Sequence, residues 1–137
     1  MTLDPAMLAP IERLACFMAT GEEAHLDGVF SADLAIVENF PPFLFEGPDA
    51  ADLWREGFLD HALRNGLMDL KASFGPAQDF RQEGDLAYFA LPTRWTGSSH
   101  GVAFEETGGW AFVLVREDGA WRIRAYGWAV TSRTGAG

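Results

Sequence analysis

Proton transfer near neutral pH is the chemistry this sequence most readily suggests, and His61 is the side chain best placed for it. It falls on the apolar stripe of a helical segment with Trp54, Phe58 and Ala62. Imidazole is also the side chain whose ordinary pKa lies closest to neutrality. His25 lies in a short helical stretch and His100 in a turn. No two histidines stand at HxH or HxxxH spacing, and the single cysteine, Cys16, offers neither a disulfide nor a thiolate zinc cluster. No metal site and no cofactor are therefore expected. Ser98-Ser99-His100 is adjacency within a turn, with no nucleophile elbow around it. Gly108-Gly109 opens a strand rather than a phosphate-cradling helix, and Glu105-Glu106 reads as a solvated strand edge.

Elements of two kinds must position these groups. In the first half apolar residues recur at helical spacing. Pro10 starts a helix carrying Ile11, Leu14, Ala15 and Met18, and Gly21 ends it. A second short helix runs through Leu26, Val29 and Phe30, and a strand covers Leu34 to Glu38. Pro41-Pro42 stops that strand, and a short return strand follows at Phe43 to Phe45. A third helix begins at Asp49 and closes at Arg64 and Asn65-Gly66. From Met68 onward the period changes to two. Strands are expected through Phe74, over 85–95, 102–106 and 109–117, and over 120–130 after the Asp118-Gly119 hairpin turn. The order predicts an α+β fold: three N-terminal helices, then an antiparallel meander.

The 137 residues suit a single domain, placed at 1–131, with 132–137 read as a flexible C-terminal tail. Hydrophobic residues reach 48%, enough for a core without disulfides. The net charge of −10 falls entirely on residues 1–70, which hold 13 acids against three bases, while 71–137 balance. No basic stripe exists to meet phosphates, so neither nucleic acid nor an anionic membrane is an expected partner. No apolar run approaches a membrane span, and a soluble, cytoplasmic protein is the simplest expectation.

The element order ending in Asp118-Gly119-Ala120-Trp121-Arg122-Ile123, with Gly21, the stretch Phe30 to Glu38, and Gly47, resembles the nuclear transport factor 2-like superfamily. The likeness is to its SnoaL-like and ketosteroid-isomerase-like branch. It implies a curved sheet wrapped on the three helices as a cone with an internal pocket. Isomerases of that branch set a carboxylate base where the first strand ends, which falls on Asn39 here, with Glu38 pointing outward alongside inward Ala35 and Val37. Their tyrosine and protonated aspartic acid donors have no counterparts near Leu14, Cys16 or Phe17, nor at Gly109 or Trp110. Ketosteroid isomerisation is therefore not expected, and His61 as acid/base with Asn39 as an oxyanion donor are the catalytic candidates.

Strand parity turns Ala87, Phe89, Leu91, Thr93 and Trp95 inward, with Trp110, Phe112 and Leu114. Trp54, Phe58, Phe89, Trp95, Trp110 and Phe112 would then line a cavity for a flat apolar ligand. On the last strand Trp121, Ile123, Ala125 and Gly127 share the inner face. Arg122, Arg124, Tyr126 and Trp128 share the outer one, a composition suited to a homodimer interface. The reading is a protein that binds a small hydrophobic molecule, with a cofactor-independent enzyme on a polyketide-, terpenoid- or steroid-like compound as its catalytic form. A non-catalytic dimerising or protein-interaction module, its cone filled by side chains, is the alternative, so enzymatic activity stays open.

Overall fold

Helix α1 (Pro5–Thr20) starts five residues before Pro10, because Asp4-Pro5 is itself a start signal. The Asp4 carboxylate accepts from the Ala6 amide at 2.9 Å, and proline stands where no N–H is needed. Gly21 closes the helix in the left-handed region at φ 73°, its N–H donating to the Phe17 carbonyl. In this computed structural model, which describes residues 2–135, the expected second helix is only a 3₁₀ turn over Glu23–Leu26. Four residues close a turn but present no continuous apolar stripe, and none of them is buried. Strands β1 (Phe30–Val37) and β2 (Leu44–Phe45) precede α2 (Ala50–Arg64). Then come β3 (Leu67–Phe74), β4 (Gln78–Glu83), β5 (Leu86–Ser99), β6 (Val102–Glu117) and β7 (Ala120–Gly135).

The strands form one seven-stranded sheet in the order β2-β1-β7-β6-β5-β3, with β4 also on β5. All pairs are antiparallel except β1 with β7, which run parallel. The sheet is curved and unclosed, and the two α-helices pack in its hollow: an α+β cone. Strand β6 is continuous where two segments are expected from sequence, and β7 carries on through residues 132–135, where a tail is expected. Those residues find partners along the far half of β6. Ala136 and Gly137 lie outside the described residues.

Three slips of register decide what faces the hollow. On β7, Ile123 pairs with Leu114 but Ala125 pairs with Val113, leaving Arg124 as an extra residue that reverses the alternation. Trp121 and Ile123 point in as the sequence predicts, yet beyond the bulge Tyr126 is the buried residue, at 4% exposure. A second slip leaves Thr131 unopposed, where Gly108 comes so close to the Ala129 carbonyl that a Cβ would collide with it. On β1, the exposed pair Ala32 and Asp33 separates buried Ser31 from buried Leu34 and Ile36. The second phase continues through Glu38 and Phe40, both buried.

Phe17 joins the layers, with its ring 5.6 Å from Trp54 and 6.0 Å from Phe58 across α2. It is fully buried. Phe17→Ala is expected to cost roughly 3–5 kcal/mol, as other buried aromatic truncations do, read by urea denaturation. A loss under 1 kcal/mol would mean that α1 is not seated on α2 as described.

Candidate functional site

A cleft of about 630 Å³ opens within the cone between α2, the end of β1 and the inner faces of β5, β6 and β7. Its walls carry the aromatic rings of Phe58, Trp95, Phe104, Trp110 and Trp128 among aliphatic and polar side chains. One carboxylate is sunk into them. Glu38 follows the last residue of β1 and is 6% exposed. Its Oε2 accepts from the Tyr126 hydroxyl at 2.6 Å and from the Trp54 indole N–H at 2.9 Å. These bonds tie β1 to β7 and to α2. Oε1 has no partner among the described residues and is not one of the fully buried atoms, so it is the oxygen presented to the cleft that Glu38 lines.

The electrostatics follow from that burial. Removal from water pushes the Glu38 carboxyl up to about 7, against the lowering influence of its Tyr126 and Trp54 bonds, and the charge of Glu106 adds to the rise. The carboxyl is thus poised between its acid and base forms near neutrality. Tyr126 is driven well above its ordinary value by its own burial and then by Glu38, so it remains a hydrogen-bond donor.

His61 also lines the cleft, half-buried and stacked on Phe40 with ring centroids 4.7 Å apart. Burial lowers its pKa, opposed by Glu106 and Asp60 and assisted by Arg133, which favours the neutral ring. Farther along the cleft, Arg133 holds Glu106 through Nε at 2.9 Å and Nη2 at 2.6 Å, while the Trp128 indole donates to the other oxygen of Glu106 at 3.3 Å. Glu106 is therefore a paired cleft residue, not a free strand edge.

The structure redistributes the residues singled out from sequence. His61, Phe58, Trp95 and Trp110 line the cleft; Trp54, Phe89 and Phe112 are buried in the core outside its lining. Asn39 lines the cleft but is exposed, and the inward carboxylate is Glu38, one residue earlier. The expectation that Glu38 points out and Val37 in is reversed, since Val37 is 52% exposed. The reason is that both faces of Leu34 to Val37 are apolar, so the expected phase rested on Asn39 as its one reference point. Tyr126 and Trp128 are likewise not on the outer face: Tyr126 is bonded to Glu38, and Trp128 lines the cleft. The bulge at Arg124 turned them inward and removed them from the surface proposed for a dimer. Sequence reasoning gave Tyr126 an outer-face role and missed its place in the cleft wall's hydrogen bonding, because no residue pattern signals that bulge.

Neither a protein-family model nor a curated protein matches the sequence. Solved structures do match in fold. A hexachlorocyclohexane dehydrochlorinase, LinA-type3 from Novosphingobium barchaimii LL02, superposes with a TM-score of 0.78 at 11% identity, covering 96% of this chain and 88% of that one. A ketosteroid isomerase-like protein from Shewanella frigidimarina NCIMB 400 gives 0.69 at 19% identity, over 92% and 96%. A nuclear transport factor 2-like superfamily protein from Salmonella enterica serovar Typhimurium LT2 gives 0.72 at 14% identity, over 93% and 90%. The fold is that of the nuclear transport factor 2-like proteins. It is a fold that carries enzymes and ligand-binding sites, as the dehydrochlorinase and the isomerase-like neighbour show.

The Glu38 assignment makes a prediction about stability. A carboxyl raised in the folded state contributes stability that is complete below its ordinary value of 4.5 and is lost as the pH rises through about 7. The shift corresponds to about 3 kcal/mol. Glu38→Gln removes this dependence. Urea denaturation at pH 4.5 and pH 8 is expected to show the variant gaining on the wild type by that order as the pH rises. Parallel stability curves would place Glu38 in water.

Proposed function

We propose that this protein binds a small, largely apolar molecule in its aromatic cleft and moves a proton on it, with Glu38 as the base. The observation that carries the reading is a buried carboxylate with one oxygen fixed by Tyr126 and Trp54 and the other directed to the cleft. In such a setting the carboxylate is weakly solvated and basic enough to attack a C–H bond made acidic by a neighbouring carbonyl or other withdrawing group. The C–H pair moves toward that group as Oε1 takes the proton. Return of the proton to another carbon gives isomerisation, and departure of a leaving group with its electron pair gives elimination. Phe58, Trp95 and Trp110 supply the apolar contacts. Asn39 has no role in this reading.

Three further points support it. Of the three groups whose absence spoke against ketosteroid-type isomerisation, the inward carboxylate is supplied by Glu38. The cleft of about 630 Å³ favours ligand binding over a cone packed with its own side chains. Two fold neighbours bear the names of a dehydrochlorinase and a ketosteroid isomerase, names of reactions of this general type, which fits a SnoaL-like or isomerase-like branch.

The test is a panel of β,γ-unsaturated cyclic ketones of one to four rings, followed by the absorbance of the conjugated product and by deuterium uptake from heavy water. At least one member should turn over, with kcat/KM rising with pH to half its plateau near pH 7, where the carboxyl loses its proton. Glu38→Gln should lower the rate roughly 100-fold or more and flatten the profile. Wild-type turnover by Glu38→Gln, or ligands bound without any exchange, would refute the proton-transfer role.

A further inference from the structure

The cleft contains a second polar group whose role is fixed by a neighbour outside the catalytic proposal. Asn65 caps the C-terminus of α2, and its backbone carbonyl accepts from the Ser99 hydroxyl at 2.7 Å, which anchors the cap to β5. Its side-chain amide nitrogen lies 2.9 Å from the backbone carbonyl of His61 and 3.2 Å from the Nδ1 atom of the same residue. The first contact orients the amide, because a carbonyl oxygen only accepts and so must face the NH₂ group rather than the amide oxygen. The second N–H of that nitrogen then points at Nδ1, which must accept. An imidazole ring whose Nδ1 accepts carries its proton on Nε2 when neutral.

Nε2 has no partner among the described residues and is not fully buried, and the residue lines the cleft. The ring is also held in place by its stack on Phe40. The geometry points to Asn65 as a positioning residue that locks His61 in its Nε2–H form, so that His61 offers the cleft a neutral hydrogen-bond donor for an acceptor oxygen of the ligand. The ligand class narrows accordingly, to molecules that place a carbonyl or similar oxygen against His61 and a hydrophobic body against the aromatic walls. This reverses the acid/base role expected for His61 from sequence. It rests on the cleft being a ligand site but not on proton transfer by Glu38.

The groups facing the ring are consistent with a neutral donor. Glu106 and Asp60 favour the charged form, but Glu106 is itself bound by Arg133, which opposes it, and burial has the largest influence. A neutral N–H can strengthen its bond as an oxygen gains charge, without the solvation cost of burying an imidazolium.

Two measurements on the full chain decide the matter. Long-range ¹H–¹⁵N NMR at pH 7, with His61 assigned by comparison with His61→Gln, should show the Nε2–H tautomer in the wild type. Asn65→Asp supplies a carboxylate acceptor to Nδ1 and should place a proton on that nitrogen, while Asn65→Ala should give a mixture of the two tautomers. The Nδ1–H form in the wild type, or a tautomer unmoved in both variants, overturns the proposal.

The second measurement compares 2-acetylnaphthalene with 2-ethylnaphthalene, which differ in the acceptor oxygen at nearly constant shape. The wild type should prefer the ketone ten-fold or more, with the carbonyl stretch of the bound ketone shifted to lower frequency. Both effects should vanish in His61→Leu, weaken in Asn65→Ala and survive largely in His61→Gln, which retains an N–H donor. Equal binding of the two probes with an unshifted stretch overturns the proposal. Because neither measurement requires turnover, an active Glu38→Gln would remove the base assignment and leave this one standing.

Discussion

Burial of the Glu38 carboxylate is the constraint around which the rest of the structure is arranged. A charged or even polar group in an aromatic interior is costly unless its lone pairs are met. Here Tyr126 and Trp54 meet one oxygen from two different elements. The bond to Tyr126 requires β7 to present that tyrosine inward, hence the bulge at Arg124. The bond to Trp54 requires α2 to lie across the end of β1, where the Trp54 ring also stacks on Phe58 at 5.6 Å. A carboxylate satisfied on one side only is a compromise between stability and reactivity, and the raised proton affinity of Glu38 expresses it.

The aromatic surroundings sharpen that compromise. Trp110 touches Phe112 at 4.9 Å, Tyr126 at 5.6 Å and Trp95 at 5.9 Å, so the wall behind the cleft is one contiguous block of rings. Such a wall keeps water out, which leaves the few polar groups poorly screened from one another. Glu106 makes the point: it influences both Glu38 and His61 across the cleft, while its own charge is held by Arg133. The far half of β7, expected from sequence to be a loose tail, supplies that arginine.

Much of the architecture was legible because it rests on periodicity. The alternation through Ala87, Phe89, Leu91, Thr93 and Trp95 is clean, and every one of those residues is buried. The Asp118-Gly119 turn is where the hairpin lies. The helical stripe placed Trp54, Phe58 and His61 on the inner side of α2. What was not legible is phase. In Leu34-Ala35-Ile36-Val37 both faces are apolar, so hydrophobicity cannot say which is inside, and a choice made from one reference position at Asn39 inverts the strand. The bulge at Arg124 has the same effect on β7, because nothing about an arginine between isoleucine and alanine signals an unpaired residue. The contacts of Asn65 depend on tertiary geometry and leave no trace in spacing.

The bulges of β7 also bear on how such a protein can change. Side chains on this strand are read in one of two frames, and a bulge is the point where the frame shifts. Moving the Arg124 slip past residue 126 would withdraw the phenol from the hollow and present a neighbouring glycine or alanine instead, without altering a single amino acid on the facing strands. One inserted or deleted residue in β7 therefore exchanges a whole set of interior groups at once, a larger chemical step than any point substitution there. A cone whose lining is set by strand frame as well as by residue identity can diversify its interior while its outer architecture stays the same. That is consistent with a fold recognisable here at 11–19% identity to neighbours with different named activities.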